Sequence, residues 1–311
     1  MHDSDTIDCL VVGAGPGGLT ASIYLARFLL SVRIVDAGKS RAAWIPRTRN
    51  HAGYPGGIPG TELLARMREQ AGEFGVAVTQ GLVETLARDK DGNGGELFIA
   101  SVAGETIRAR TVLLATGVVN NRPAVSPDVH DAALARGLLR YCPICDGYEV
   151  TDRAVGVIGT HEHGMNEAVF LRMYTPDVTL ISPHAEHELD EGQRARLADL
   201  GIGVVDGPCR PLRIDGDRIV VPVPGGDLRF DSVYPALGSV IRSELAVALG
   251  AEATDDGCLA IDDHQRTGIP GLYAAGDVAR GLDQISHAMG QAGVAATTIR
   301  NDLAQARVLA R

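Results

Sequence analysis

IDCLVVGAGPGG, residues 7–18, is a short apolar run that breaks into a glycine-rich turn. LTASIYLARFL follows with helical apolar spacing, and VRIVD at 32–36 ends on Asp36. Strand, glycine turn, helix and strand make one βαβ unit. Gly13, Gly15 and Gly18 fit G-x-G-x-x-G in register with that strand and helix, and Pro16 lies within the same turn. In such a loop the first glycine makes the tight turn. The second lets backbone approach a pyrophosphate, and the third lets helix pack on strand. The helix N-terminus then faces the phosphates with its positive end. Asp36 stands where a carboxylate holds a ribose hydroxyl. The pattern predicts a dinucleotide site rather than a glycine turn without a ligand.

Working outward, AVGVI at 154–158 opens a second unit of the same kind. Gly159 starts its turn, a helix is expected near 166–174, and VTLIS at 178–182 is its second strand. TVLLATG (111–117) and LRFDSVYPALG (228–238) read as strands that end in small-residue turns. Crossovers are expected near 117–123 and 238–250. HAGYPGGIPG (51–60) and DGNGG (91–95) are turns by composition, the second one inside a hairpin.

The chain has 311 residues, 45% of them hydrophobic and 22% charged, which suits about two ordinary globular domains and excludes disorder. Its net charge of −10 argues against nucleic acid as the main partner. No stretch approaches the length of a spanning helix, and Asp3, Asp5 and Asp8 stand where an export signal carries positive charge. The expectation is a cytoplasmic protein with no membrane partner.

Five cysteines, an odd number with one close pair, do not make a disulfide scaffold. Cys142-Pro-Ile-Cys145-Asp146 reads as a redox pair, because cysteines at i and i+3 can close a readily exchanged disulfide. Asp146 can serve as a general acid–base. A zinc half-site is the alternative, but a second pair is missing, and no metal is expected. Cys9, Cys209 and Cys258 read as small core residues. Near the C-terminus, GLYAAGDVA (271–279) places Gly276-Asp277 after a strand, followed by Gln284, Ile285 and a small-residue helix. A ligand gripped from both chain ends fits FAD better than NAD.

With these features in hand, the chain resembles the thioredoxin-reductase-like flavoproteins, the low-molecular-weight class of pyridine nucleotide–disulfide oxidoreductases. GAGPGG with Asp36, CPICDG at 142–147, GLYAAGDVA and QISHAMGQAGVAA carry the likeness, in the family's order. The resemblance implies an α/β fold of two Rossmann-like, three-layer ββα domains. An FAD domain at 1–117 and 246–311 would be split by an inserted domain at 118–245 that carries the cysteines. It implies Asn50 near the flavin, Thr116-Gly117 as the family's Ala-Thr-Gly turn, and Gln284-Ile285 beneath the flavin ring. It also implies Cys145 as the thiolate nearest the flavin, Cys142 as the thiol that meets substrate, and a homodimer.

The second glycine loop departs from the family's pattern. It reads Gly159-Thr-His161-Glu-His163-Gly164, so a side chain fills the middle glycine position. The stretch from Ser182 to Glu191, where a 2′-phosphate needs cations, has no Lys or Arg and four acids. NADPH use is therefore doubtful. His161, His163, His184 and His187 fall in these two loops and read as polar replacements for a nucleotide site, with metal or substrate binding as alternatives. The expected function is FAD-dependent dithiol/disulfide exchange through Cys142 and Cys145. Its partner is a disulfide or dithiol, either a small protein such as thioredoxin or a small molecule. Both directions stay open: NADPH-driven reduction of a thioredoxin disulfide, or dithiol oxidation by oxygen. A non-catalytic flavin redox sensor is the contrasting class.

Overall fold

The computed structural model describes residues 6–90 and 95–309. β1 (Thr6–Val12) is almost wholly buried and yields at Gly13 to α1 (Pro16–Arg27), whose proline presets the first helical φ. β2 (Val32–Asp36) runs parallel to β1, with Cys9 opposite Val32. A 3₁₀ turn at Arg41–Trp44 leads to α2 (Gly60–Glu73) and then β3 (Val78–Gln80), which extends the sheet beyond β2. β4 (Val83–Lys90), β5 (Glu96–Val102) and β6 (Glu105–Leu114) form an antiparallel meander. The hairpin turn expected at 91–95 lies, but for Gly95, outside the described residues. β6 also pairs in parallel with β1, Leu10 opposite Val112.

β7 (Val118–Asn120) leaves this sheet. α3 (Pro127–Ala135) and the single turn α4 (Pro143–Asp146) precede the second βαβ unit. That unit comprises β8 (Val155–Ile158), α5 (His161–Leu171) and β9 (Val178–Ile181). The helix expected near 166–174 thus begins five residues earlier, because the glycine turn runs directly into it. α6 (Glu191–Asp199) starts on a capping box, with Asp190 accepting from the Gln193 amide and the Gln193 side chain reciprocating. β10 (Gly203–Val205), β11 (Arg213–Asp215), β12 (Arg218–Val223), β13 (Gly226–Phe230) and β14 (Ser232–Pro235) follow. The single strand expected over 228–238 is therefore two. β13 belongs to an antiparallel layer with β11 and β12, and β14 pairs in parallel with β8.

β15 (Ser239–Ile241) pairs with β7 where the chain crosses back. α7 (Glu244–Val247), β16 (Leu272–Ala274) and α8 (Ile285–Ala306) complete the chain. β16 runs parallel to the second half of β6, Leu272 opposite Val112, along the edge whose first half β5 occupies.

By mutual contacts the chain divides into two units. One comprises residues up to Trp44, Pro59–Val119 and Val240 onward. The other comprises Ile45–Ile58 and Asn120–Ser239. Each unit is an α/β, Rossmann-like arrangement of parallel sheet, antiparallel layer and helices. In the first, Leu10, Val12 and Val35 meet Phe98, Val102 and Ile107 of the meander and Leu259 and Val278 of the returning chain. In the second, Val155, Val157 and Leu180 pack with Met165, Leu171, Leu197 and Tyr234. The expected first segment ran unbroken to residue 117, whereas residues 45–58 cluster with the second unit, where Arg49 Nε lies 3.1 Å from Glu149. Among the described residues no helix is long and apolar enough to cross a membrane.

Candidate functional site

In the first unit the parallel strands β1, β6 and β16 all end at one edge, which is where ligands bind in open α/β sheets. The Gly13 amide donates to Val35 O, the Ala115 amide to Val12 O and the Ala275 amide to Leu114 O, so three turns leave that edge side by side. Gly13 has φ +103, and a Cβ there would fall 2.3 Å from Ala115 O. A Cβ on Gly18 would fall 1.8 Å from Gly13 O. The fold itself therefore requires glycine at both positions.

Gly15 differs. Its φ −75 and ψ −175 suit any residue, and a Cβ would meet only Ser40 Oγ, at 3.4 Å. Nothing in the chain demands glycine there, whereas close approach of a pyrophosphate would. Asp36 is 6% exposed and accepts from the Ala14 amide at 3.0 Å and the Gly38 amide at 3.1 Å. Those bonds fix the carboxylate against the glycine turn. Thr116 donates from Oγ1 to Arg242 O (2.6 Å), and Gly117 stands at φ +64. The Gly276 amide donates to Gln291 of α8 (2.8 Å). Asp277 receives Arg41 Nη1 at 3.1 Å, and the same nitrogen reaches Asp283 at 2.8 Å. Burial pushes the Asp277 carboxyl up, as does Asp283, while Arg41 pulls it back. Gln284 and Ile285 stand at the start of α8, half-buried. These residues fit FAD: an open glycine cradle, a fixed acid beyond it, and Gly276-Asp277 on the neighbouring turn. Asn50 is exposed, lies in the stretch that clusters with the second unit, and accepts from Thr48 Oγ1.

In the second unit Cys142 and Cys145 are joined as a disulfide, S–S 2.07 Å. Cys142 caps α4 with extended backbone, and the Cys145 amide donates to Cys142 Sγ at 3.2 Å. Cys142 and Cys145 are half-buried as residues, and Ile144 between them is exposed. Asp146 takes Tyr234 OH on Oδ1 (2.9 Å) and Arg140 Nη1 on Oδ2 (2.9 Å). Burial pushes its carboxyl up, and the Arg140 charge and the Arg140 and Tyr234 hydrogen bonds pull it back. Replacing Tyr234 by Phe removes one of the groups holding the carboxylate. The acid limb of the thiol-exchange pH profile is therefore expected to move to higher pH in Tyr234→Phe and to vanish in Asp146→Asn. An unmoved limb in both variants would take Asp146 out of the proton transfer.

Gly159 and Gly164 keep their mutual close packing, a Cβ on Gly164 falling 2.7 Å from Gly159 C. His161 between them adopts φ +54, a left-handed conformation that costs a non-glycine residue about 1–3 kcal/mol. Its ring is 60% exposed and its Nε2 lies 3.5 Å from Glu188 Oε2. The Glu188 amide donates to Thr160 Oγ1 at 3.1 Å. The loop after β9 is thus tied across the glycine turn. His163 pairs with Glu167 along α5, and His184 is exposed. His187 turns inward, buried, and donates from Nε2 to Val205 O; burial pushes its pKa down. Among the described residues no three His, Cys, Asp or Glu side chains converge to hold a metal ion.

Cys9 is fully buried, its thiol pushed up to about 12 by burial. Cys209 and Cys258 are half-buried rather than core residues, and Cys209 donates to Ser182 O. No motif in the sequence marks Arg41 or Tyr234, whose partners Asp277 and Asp146 are far along the chain, or Arg140, which pairs with Asp146 six residues on.

A family described as pyridine nucleotide-disulphide oxidoreductase matches residues 7–292. The chain belongs to that family. It is an FAD-dependent oxidoreductase of the class that acts on sulfur groups. Among curated relatives of this oxidoreductase, thioredoxin reductase from Aquifex aeolicus is 28% identical, covering 89% of this chain and 87% of the relative. Among solved structures, HlmI is 29% identical with a TM-score of 0.86, covering 98% of this chain and 94% of that one. The thioredoxin reductase from Streptococcus pyogenes has a TM-score of 0.86 at 26% identity, covering 97% of this chain and 99% of that one.

Proposed function

We propose that this oxidoreductase exchanges electrons between FAD and an external dithiol or disulfide through Cys142 and Cys145, with NADPH a poor partner. The observation that carries the reading is the pairing of an accessible Cys142–Cys145 disulfide with a second glycine turn occupied by His161 and tied to Glu188. When bound, FAD supplies the two-electron donor or acceptor. A substrate thiolate attacks Cys142 Sγ, the Cys142–Cys145 bond breaks, and Cys145 leaves as thiolate. The second substrate thiol then closes on the first sulfur and frees Cys142. Two electrons and two protons pass from the dithiol to the pair, and the reverse sequence reduces a disulfide. Asp146, next to Cys145 in the chain and with its carboxyl raised, holds the exchanged proton. The Cys145 amide stabilises charge on Cys142 Sγ.

The curated relatives named thioredoxin reductase favour a second reading, NADPH-dependent reduction of a thioredoxin disulfide. Oxidation of a dithiol with oxygen as final acceptor is the opposite direction of the same chemistry. A cytoplasmic homodimer is the assembly that goes with either reading. Anaerobic titration of the yellow protein with NADPH, NADH and dithiothreitol in turn tests the proposal. Bleaching of the flavin band by dithiothreitol but not by either nucleotide is the expected result.

The FAD site has its own check. Gly15→Leu is expected to release the cofactor, since the side chain enters space that the chain leaves open. The protein should purify colourless but folded, read as the ratio of 450 nm to 280 nm absorbance beside an unchanged far-UV spectrum. A fully yellow Gly15→Leu would remove the pyrophosphate from this turn.

A further inference from the structure

Beside the disulfide lies a buried polar chain that the proposed chemistry does not use. His130 on α3 is 0% exposed. Its Nδ1 lies 2.9 Å from Asp131 Oδ1, and its Nε2 lies 3.0 Å from the hydroxyl of Tyr141, the residue before Cys142. A carboxylate oxygen only accepts, so Nδ1 carries the hydrogen and Nε2 accepts from Tyr141. Burial pushes the Tyr141 phenol up to about 12, with Arg122 pulling the other way, so it stays a donor at neutral pH. The Asp131 side chain is 77% exposed, so the chain runs from the surface to the segment that carries the redox pair. An apolar residue at 130 would fill the same core without desolvating an imidazole. A buried polar chain whose members are satisfied fixes one arrangement of the groups it joins.

What it joins is the start of the redox turn. The Arg140 amide donates to Val233 O on β14, and its guanidinium to Gly137 O and Asp146. Cys142 begins α4 with φ −145 and ψ 95, which aims its Sγ at the Cys145 amide. Tyr141 stands between these two fixed points. Resting on the redox role of Cys142 and Cys145, we propose that Asp131, His130 and Tyr141 form a positioning relay that holds Cys142 where the Cys145 amide stabilises its reduced sulfur. That amide bond is stronger to a thiolate than to a disulfide sulfur, so the relay favours the reduced pair.

The test is equilibration of the purified holoprotein with dithiothreitol redox buffers, followed by thiol trapping and counting of alkylated Cys142 and Cys145. Dithiothreitol delivers two electrons and two protons to the pair and closes its own ring disulfide. Tyr141→Phe keeps the ring and deletes the bond to His130. It is expected to lower the equilibrium constant for reduction about tenfold, about 30 mV toward more negative potential. Asp131→Ala alters only an exposed side chain and should shift it in the same direction by less. If Tyr141→Phe does not fold, Asp131→Ala decides alone. Folded, yellow variants that titrate within twofold of wild type would overturn the relay. A wild-type pair that dithiothreitol never reduces would instead overturn the redox role of the pair itself.

Discussion

Cys145→Ser is expected to stop electron transfer from a dithiol to the flavin while leaving the protein yellow. The effect is large because the pair acts as a unit: without Cys145 there is no disulfide for a dithiol to reduce, and a lone Cys142 thiol has no bond to break that would take up its two electrons. Removing one member of a covalent catalytic unit costs on the order of 10⁴-fold or more in turnover. The fold should survive, since both cysteines are half-buried on a single helical turn and the Tyr234, Arg140 and Asp146 contacts remain. Two measurements check it: the rate of flavin bleaching by dithiothreitol under anaerobic conditions, and the flavin spectrum before reductant is added. A variant that bleaches at the wild-type rate would mean that thiols reduce the flavin without Cys145.

NADPH is expected to reduce the flavin at least tenfold less effectively than dithiothreitol, and NADH should be penalised less. Two defects act together. His161 places a side chain and a left-handed backbone where a pyrophosphate needs bare main chain. The loop after β9 and the first residue of α6 offer Glu186, Glu188, Asp190 and Glu191 where a 2′-phosphate needs cations. A lost hydrogen-bond contact and a lost charge match are each worth about 1–3 kcal/mol, together roughly 30- to 10⁴-fold in affinity. NADH lacks the 2′-phosphate and so escapes the second term. The double variant His161→Gly, Glu188→Lys frees the turn, relaxes the positive φ and reverses one charge, and should regain part of the loss. Stoichiometric bleaching of the wild-type flavin by micromolar NADPH would leave an ordinary nucleotide-dependent reductase.

The βαβ units were legible because glycine spacing and apolar runs are local signals. Gly13, Gly18, Gly159 and Gly164 are demanded by contacts within a few residues or across one strand end. The hairpin of β4 and β5 was legible from the turn composition between them, whereas the pairing of β5 with β6 was not. The cysteine pair, within the five residues Cys142-Pro-Ile-Cys145-Asp146, announced itself without any tertiary knowledge. Less legible was everything set by partner choice. The clustering of residues 45–58 with the second unit depends on contacts such as that of Arg49 with Glu149, which no motif encodes. Two strands were read as one over 228–238 because Asp231 gives no turn signal, although the chain changes sheet there. Tyr234 carries its hydroxyl into buried surroundings, and only Asp146, far along the chain, explains why; His130 is explained by Asp131 beside it together with Tyr141 beyond the helix end.

The second half of the β6 edge, described above as the place of β16, also sets an order of events during synthesis. At about 5–20 residues per second, a ribosome delivers Leu272–Ala274 roughly 8–30 s after Leu114. Meanwhile Asn120–Ser239 emerges as one uninterrupted stretch with both of its sheets complete. The nascent chain therefore finishes the unit bearing the disulfide first. It holds the earlier-made strands β1 to β6 with an open edge and the α8-facing side of α1 uncovered until the last segment arrives. That interval is when this protein is most exposed to aberrant strand pairing.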